Sequence, residues 1–142
     1  MHNSPNIYNC EELCKLHKKV KRFKRRADKK HPAWSENNDN GEWEFGLSEF
    51  DEMYDVILEI IENTSCDNAS EQMLDDILFG IARDNECSRI ANKLIDYPDW
   101  YSLLCRNSLH TDYLNAKWQF AETLRDYKGN DEIFDLVFDF LN

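Results

Sequence analysis

Apolar residues recur at steps of three and four along most of the chain, a spacing that places them on one face of an α-helix. The first apolar stripe of this kind consists of Leu13, Leu16, Val20, Phe23 and Ala27. Asn9 and Glu12 have the spacing of a capping box, and Pro32 disfavours any further helix. The pattern therefore predicts an amphipathic first helix that begins at Asn9 and ends at Pro32.

Six further segments show the same helical spacing. Their predicted positions are 48–63, a third helix from Asn68, a fourth from Asp84, then 99–109, 111–127 and 131–141. Residues 34–47 are rich in Asn, Asp and Glu around Gly41, and they predict a loop. Four Gly and three Pro are too few for the turns of an all-β domain. The sequence thus predicts an all-α fold of about seven helices.

A short internal similarity relates residues 91–97 to residues 121–127, which share the pattern A-x-x-L-x-D-Y. Repeats of about this length are typical of stacked helical pairs. Chance similarity between two amphipathic helices is the simpler alternative. The pattern alone leaves both interpretations open.

In residues 112–124, which overlap the second copy of this pattern, Asp112 is followed by Lys117, Ala121 and Leu124. This stretch resembles the second helix of the HEAT repeat family, and 131–141 resembles its first helix. The resemblance covers about residues 68–142. It implies antiparallel helical hairpins stacked as a short HEAT-like solenoid, with a curved surface that binds protein or nucleic acid. It does not imply catalysis.

Charge divides the chain into two parts. Residues 1–33 hold ten basic and three acidic residues, whereas residues 34–142 hold seven basic and twenty-five acidic ones, which gives the net charge of −11. A length of 142 residues predicts one domain. We expect a basic helix over 1–33, a loop over 34–47 and an acidic helical-repeat body over 48–142.

The sequence gives little support to an enzyme or a cofactor protein. It lacks a G-x-S-x-G motif and a glycine-rich phosphate loop. Cys10, Cys14 and His17 share one helical face, but a fourth zinc ligand is missing. We therefore predict no catalytic residues, no cofactor and no metal site.

Hydropathy and cysteine usage predict a cytoplasmic protein. No apolar run approaches the roughly 18 residues of a membrane span, and the N-terminus shows no apolar signal segment. The five cysteines have irregular spacing, which is typical of reduced thiols rather than of a disulfide framework.

The basic helix has three interpretations. It binds RNA or DNA phosphates, or it binds an acidic partner or an anionic membrane surface, or it packs as an N-terminal cap on the acidic body. The regular apolar stripe favours packing. The cations assigned to a binding role are Lys18, Lys21, Arg22, Lys24, Arg25 and Arg26.

The acidic body is either a solvated face or a docking surface for a basic protein, with aromatic residues as anchors. The residues assigned to this surface are Glu42, Trp43, Glu44, Asp75, Asp76, Asp99, Trp100, Tyr101, Glu122 and Asp126.

The leading hypothesis is a small acidic binding protein, similar in kind to bacterial immunity proteins that cover the active site of a cationic toxin such as a nuclease. The alternative is a nucleic-acid adaptor that binds RNA or DNA through the basic helix. A scaffold module of a larger assembly is a weaker option. The sequence names neither the partner nor the oligomeric state.

Overall fold

Six α-helices and two short 3-10 helices form the described part of the chain, which comprises residues 4–30, 48–84 and 87–127 with 129, 133 and 135 of a computed structural model. The α-helices are α1 (Ser4–Lys30), α2 (Ser48–Asn63), α3 (Glu71–Arg83), α4 (Arg89–Leu94), α5 (Pro98–Ser108) and α6 (Leu114–Thr123), and the 3-10 helices are Cys66–Asn68 and Leu124–Asp126. These ranges contain no β-strand. The predicted all-α class is confirmed, with six helices where about seven were expected.

The predicted starts of the first, third and fourth helices are wrong. The first helix begins at Ser4 and continues through Asn9, so Asn9 is not a cap. The third helix is capped by Ser70, whose hydroxyl accepts a hydrogen bond from the Met73 N–H at 3.1 Å, whereas Asn68 ends the preceding 3-10 helix. The capping-box spacing occurs inside and outside helices, so spacing alone does not fix where a helix begins.

The fourth helix begins at Arg89 rather than at the predicted Asp84, although the Asp84 side chain still caps it. Ser88 precedes α4 in a left-handed conformation with φ of 51°, and its side chain makes no cap hydrogen bond. The Asp84 carboxylate instead accepts a hydrogen bond from the Ile90 N–H at 2.7 Å. The seventh predicted helix lies mostly outside the described residues, although Ile133 and Asp135 within it are helical.

The apolar stripe of α1 is buried against α2 and α3, as the spacing predicts. Its described members Leu16, Val20, Phe23 and Ala27 have no exposed surface. The Phe23 ring meets Phe50 of α2 edge-on at 6.2 Å and Phe79 of α3 at 5.8 Å. The basic helix is therefore an integral part of the core.

Helix α3 lies at the centre of the fold, in contact with α1, α2, α5 and α6. Gly80 lets α2 approach it closely, because a Cβ at this position would collide with the Ile57 Cδ1 atom. Nearly every residue of α3 after its first turn is buried, as expected of a central helix.

Candidate binding surfaces

One flank of α1 faces a row of carboxylates on α2. Three contacts connect the helices in antiparallel order, Lys15–Glu59 at 3.5 Å, Lys19–Glu52 at 3.0 Å and Arg26–Glu49 at 3.9 Å. The hydrogen bond from Lys19 lowers the pKa of Glu52. Arg22 lies 3.8 Å from Glu52 and 4.0 Å from Glu49. The cations on this flank of the basic helix are therefore paired with carboxylates of the acidic body.

The other flank of α1 faces α3. His17 Nδ1 pairs with Asp76 Oδ2 at 3.0 Å, and Gln72 donates to Asp76 Oδ1 at 3.1 Å. Burial raises the pKa of Asp76, and the hydrogen bond with His17 opposes this in part. The side chain of Lys24 lies over the Phe79 ring, 4.7 Å from its centroid. The surface position predicted for Asp76 is wrong, because only 1% of it is exposed.

The remaining described cations of α1 point away from the body. We call Lys18, Lys21, Arg25 and Lys29 the outer row. All four are exposed, and none has an ion-pair partner in the described part of the chain. Helical spacing places them opposite the buried stripe. Lys29 was missing from the predicted set, although it follows Arg25 by four residues.

A shallow groove of about 390 Å³ lies at the C-terminal half of α1. Its lining residues are Arg22, Arg25, Arg26, Asp28, Lys29 and Glu49. Four cations and two carboxylates therefore share this groove, which is continuous with the outer row through Arg25 and Lys29.

A second groove of about 430 Å³ opens between the end of α2 and the start of α5. One wall is formed by residues 61–67 and the other by residues 96–100. The Trp100 indole N–H donates to the Thr64 carbonyl at 2.9 Å and ties the two walls together. Four carboxylates line this acidic groove, namely Glu62, Asp67, Asp96 and Asp99.

The groove carboxylates create a negative field. Lys93 Nζ lies 2.8 Å from Glu62, and this contact raises the pKa of Lys93, with a smaller contribution from Asp96. Burial raises the pKa of the Cys66 thiol, and the charges of Asp67 and Asp99 raise it further. Each of the four carboxylates thus favours the protonated form of a neighbouring group, either Lys93 or Cys66.

The aromatic anchors predicted beside Asp99 are wrong. Trp100 is 3% exposed and Tyr101 has no exposed surface. The Tyr101 hydroxyl lies 2.9 Å from the Thr123 hydroxyl and donates to the Phe120 carbonyl at 2.8 Å. Both aromatic residues therefore hold α5 in the fold.

The other predicted acidic residues are dispersed. Asp75, Glu122 and Asp126 are exposed but do not line the acidic groove. Asp99 is the one member of the predicted set, among described residues, whose carboxylate does. The predicted positions Glu42, Trp43 and Glu44 lie outside the described residues.

Three carboxylates of the acidic groove, Glu62, Asp67 and Asp96, were missed by sequence reasoning. Asp96 is the Asp of the A-x-x-L-x-D-Y pattern, which follows the helix end at Leu94. Its place just after a helix end could have indicated that Asp96 lies in the loop between α4 and α5. Glu62 lies at the end of α2 and Asp67 in the 3-10 helix that follows it. Both precede Asp96 by about thirty residues, and only the tertiary fold brings them to it.

The described residues contain no group of three or more His, Cys, Asp or Glu side chains arranged to hold a metal. Within the same residues, no helix is long and apolar enough to cross a membrane. No family model, no curated protein and no solved structure matches the chain. The similarity to HEAT repeats rests on the spacing of core positions alone.

Proposed function

We propose that the chain is a non-enzymatic protein-binding module whose acidic groove receives the cationic side chains of a basic protein. The proposed biological role is that of a cytoplasmic immunity or inhibitor protein, which covers the active site of a cationic toxin domain such as a nuclease. The observation that carries the proposal is the convergence of four carboxylates on one groove from two separate segments, residues 61–67 and residues 96–100.

The groove has the negative charge that binding of a Lys or Arg side chain requires. Its volume of about 430 Å³ is within the usual range of ligand pockets. Lys93, paired with Glu62 at its edge, illustrates how these carboxylates hold a cation. A negative cleft also raises the association rate of a cationic partner by about 10- to 1,000-fold at low salt. A nuclease that binds phosphate presents complementary charge.

The groove is held in shape before any partner arrives. The hydrogen bond from Trp100 to Thr64 joins its walls, and both walls rest on buried residues of the core, Ile61 and Trp100. Preformed sites lose less conformational entropy on binding. The buried tryptophan therefore supports the site indirectly, as a tie between its walls.

The cysteine chemistry supports a binding role over a nucleophilic one. The Cys66 thiol lies in the acidic groove with a raised pKa, and the thiolate is the reactive form of cysteine. Cys14, Cys66 and Cys105 are free thiols, which agrees with a reducing compartment such as the cytoplasm.

The test compares three versions of the chain as bait in extracts of the native host. The groove variant carries Glu62→Gln, Asp67→Asn, Asp96→Asn and Asp99→Asn. The matched control variant carries Asp51→Asn, Asp55→Asn, Asp112→Asn and Glu122→Gln, which removes the same charge from exposed positions outside the groove.

The proposal predicts that the intact chain and the control retain the same basic protein, that the groove variant loses it, and that the purified chain inhibits that protein's activity. Binding should weaken as salt rises, because the contacts are ionic. Equal retention by all three versions, or retention of no basic protein by the intact chain, would contradict the proposal.

A further inference from the structure

A second surface of opposite charge lies on the outer side of α1. We propose that the outer row, together with the groove at the C-terminal half of α1, binds the phosphate backbone of a nucleic acid. This site uses residues different from those of the acidic groove, so either proposal can fail without the other.

The structure separates the cations that stabilise the fold from those that do not. Lys15, Lys19, Arg22 and Arg26 lie beside carboxylates of α2. Lys24 lies over the Phe79 ring. The four cations of the outer row make no such contact in the described part of the chain. Their positive charge is therefore available to a ligand.

The outer row has a spacing that suits a polyphosphate. Its members follow one another at three, four and four residues, so their Cα atoms are about 4.5 to 6 Å apart along the axis and the row is about 16 Å long. Duplex DNA carries about one negative charge per 1.7 Å of its axis. Each cation of the row thus has phosphates within reach.

The groove at the C-terminal end of the row adds two arginines. Arg22 and Arg26 are 3.8 to 4.0 Å from their carboxylates, which are long contacts for ion pairs. A guanidinium has five N–H donors, so donors remain for phosphate oxygens. The Asp28 and Glu49 carboxylates in the same groove reduce its positive charge without cancelling the four cations.

The burial of the apolar stripe favours nucleic acid over a membrane as the ligand. Amphipathic helices that bind bilayers insert their apolar face among the lipids. In α1 that face is the fully buried stripe of Leu16, Val20, Phe23 and Ala27. The outer row offers positive charge and hydrogen-bond donors, which are the groups that bind phosphates without sequence preference.

The test measures binding of the full chain to a fluorescent duplex of random sequence by anisotropy, between about 50 and 200 mM salt. The four contacts of the outer row alone predict a slope of about −3.6 for log K against log salt, which is about a 150-fold loss of affinity over this range, and contacts from Arg22 and Arg26 would make the slope steeper. Each Lys→Gln or Arg→Gln change in the outer row should reduce the slope by about 1.

The matched control removes four cations elsewhere, with Lys93→Gln, Arg106→Gln, Lys117→Gln and Arg125→Gln. The site proposal predicts that Lys18→Gln, Lys21→Gln, Arg25→Gln and Lys29→Gln together remove most of the salt-dependent binding, while the control retains most of it. Circular dichroism checks that both variants remain helical.

Three outcomes would overturn this proposal. The first is no binding of the duplex by the intact chain at about 50 mM salt. The second is an equal loss of binding in the outer-row variant and in the control. The third is tighter binding to phosphatidylserine vesicles than to the duplex, which would assign the outer row to an anionic membrane surface.

Discussion

Truncation of Phe23 probes the packing of the basic helix on the acidic body. Phe23 has no exposed surface, and its ring contacts Phe50 of α2 and Phe79 of α3. The Phe23→Ala change removes the largest side chain of the α1 stripe and breaks contacts to both neighbouring helices. Lys21→Ala is the matched control, because it lies on the opposite, exposed face of the same helix.

The expected loss of unfolding free energy in Phe23→Ala is large for a single substitution. Truncation of a buried Phe costs about 3 to 5 kcal/mol, including the cavity that remains. The two edge-on aromatic contacts place Phe23 toward the upper part of that range, since each such pair contributes about 0.5 to 1.5 kcal/mol beyond its area. The control should change the free energy of unfolding by no more than about 0.5 kcal/mol.

Urea unfolding followed by circular dichroism measures both variants. With an m-value of about 2 kcal/mol/M, Phe23→Ala should lower the midpoint by about 2 M. Should this variant not fold, Phe23→Leu preserves most of the volume and should cost less than about 1.5 kcal/mol. A loss below about 1 kcal/mol for Phe23→Ala would refute the packing of α1, because an exposed side chain gives such a value.

Three further substitutions test other parts of the fold. Gly80→Ala should lower the free energy of unfolding, measured in urea, by about 1 kcal/mol. The reason is that overpacking against Ile57 costs more than the helix-propensity gain of about 1 kcal/mol. Adding Ile57→Val should restore the lost stability. Tyr101→Phe should cost about 1 to 3 kcal/mol in thermal unfolding, because the buried Phe120 carbonyl loses the hydrogen bond from the Tyr101 hydroxyl. The pKa of Asp76 is raised in the fold. The stability that protonated Asp76 contributes is therefore fully present below its ordinary pKa of 3.8, and it is lost as pH rises through the raised pKa. The stability difference between the native chain and Asp76→Asn should therefore fall as pH rises, and a difference that grows with pH would contradict this.

The helices could be predicted because helical spacing is a local property of the sequence. The α1 stripe is buried at each of its described positions, and the predicted bounds of the second helix match Ser48–Asn63. Helix starts were less predictable. Ser70, rather than Asn68, caps α3. Several polar residues in that connection have side chains that can cap a helix, so the sequence does not show which of them does.

The acidic surface was only partly predictable, since neighbours in sequence point in different directions on a helix. Asp99 is exposed while Trp100 beside it is buried, and Asp75 is exposed while Asp76 is buried. Residues one position apart differ by about 100° around the helix axis. Acidic residues flanking an aromatic residue therefore do not show that the aromatic residue is exposed.

The two grooves depend on tertiary contacts that local patterns do not contain. The acidic groove lies between residues 61–67 and residues 96–100, and the hydrogen bond from Trp100 to Thr64 joins its two walls. Likewise, the division of the α1 cations into paired and outer residues depends on where α2 places its carboxylates. Charge counts predicted two oppositely charged regions, and the packing decides which charges are available.

An NMR titration of the intact chain with an arginine-rich peptide tests most directly whether the acidic groove receives cationic side chains. The account predicts salt-sensitive amide shifts concentrated in residues 61–67 and 96–100, with smaller shifts around Asp51 and Asp55 of α2. The same titration of the groove variant should not show these amide shifts. Shifts concentrated around Asp51 and Asp55, with residues 61–67 and 96–100 unchanged, would contradict the account.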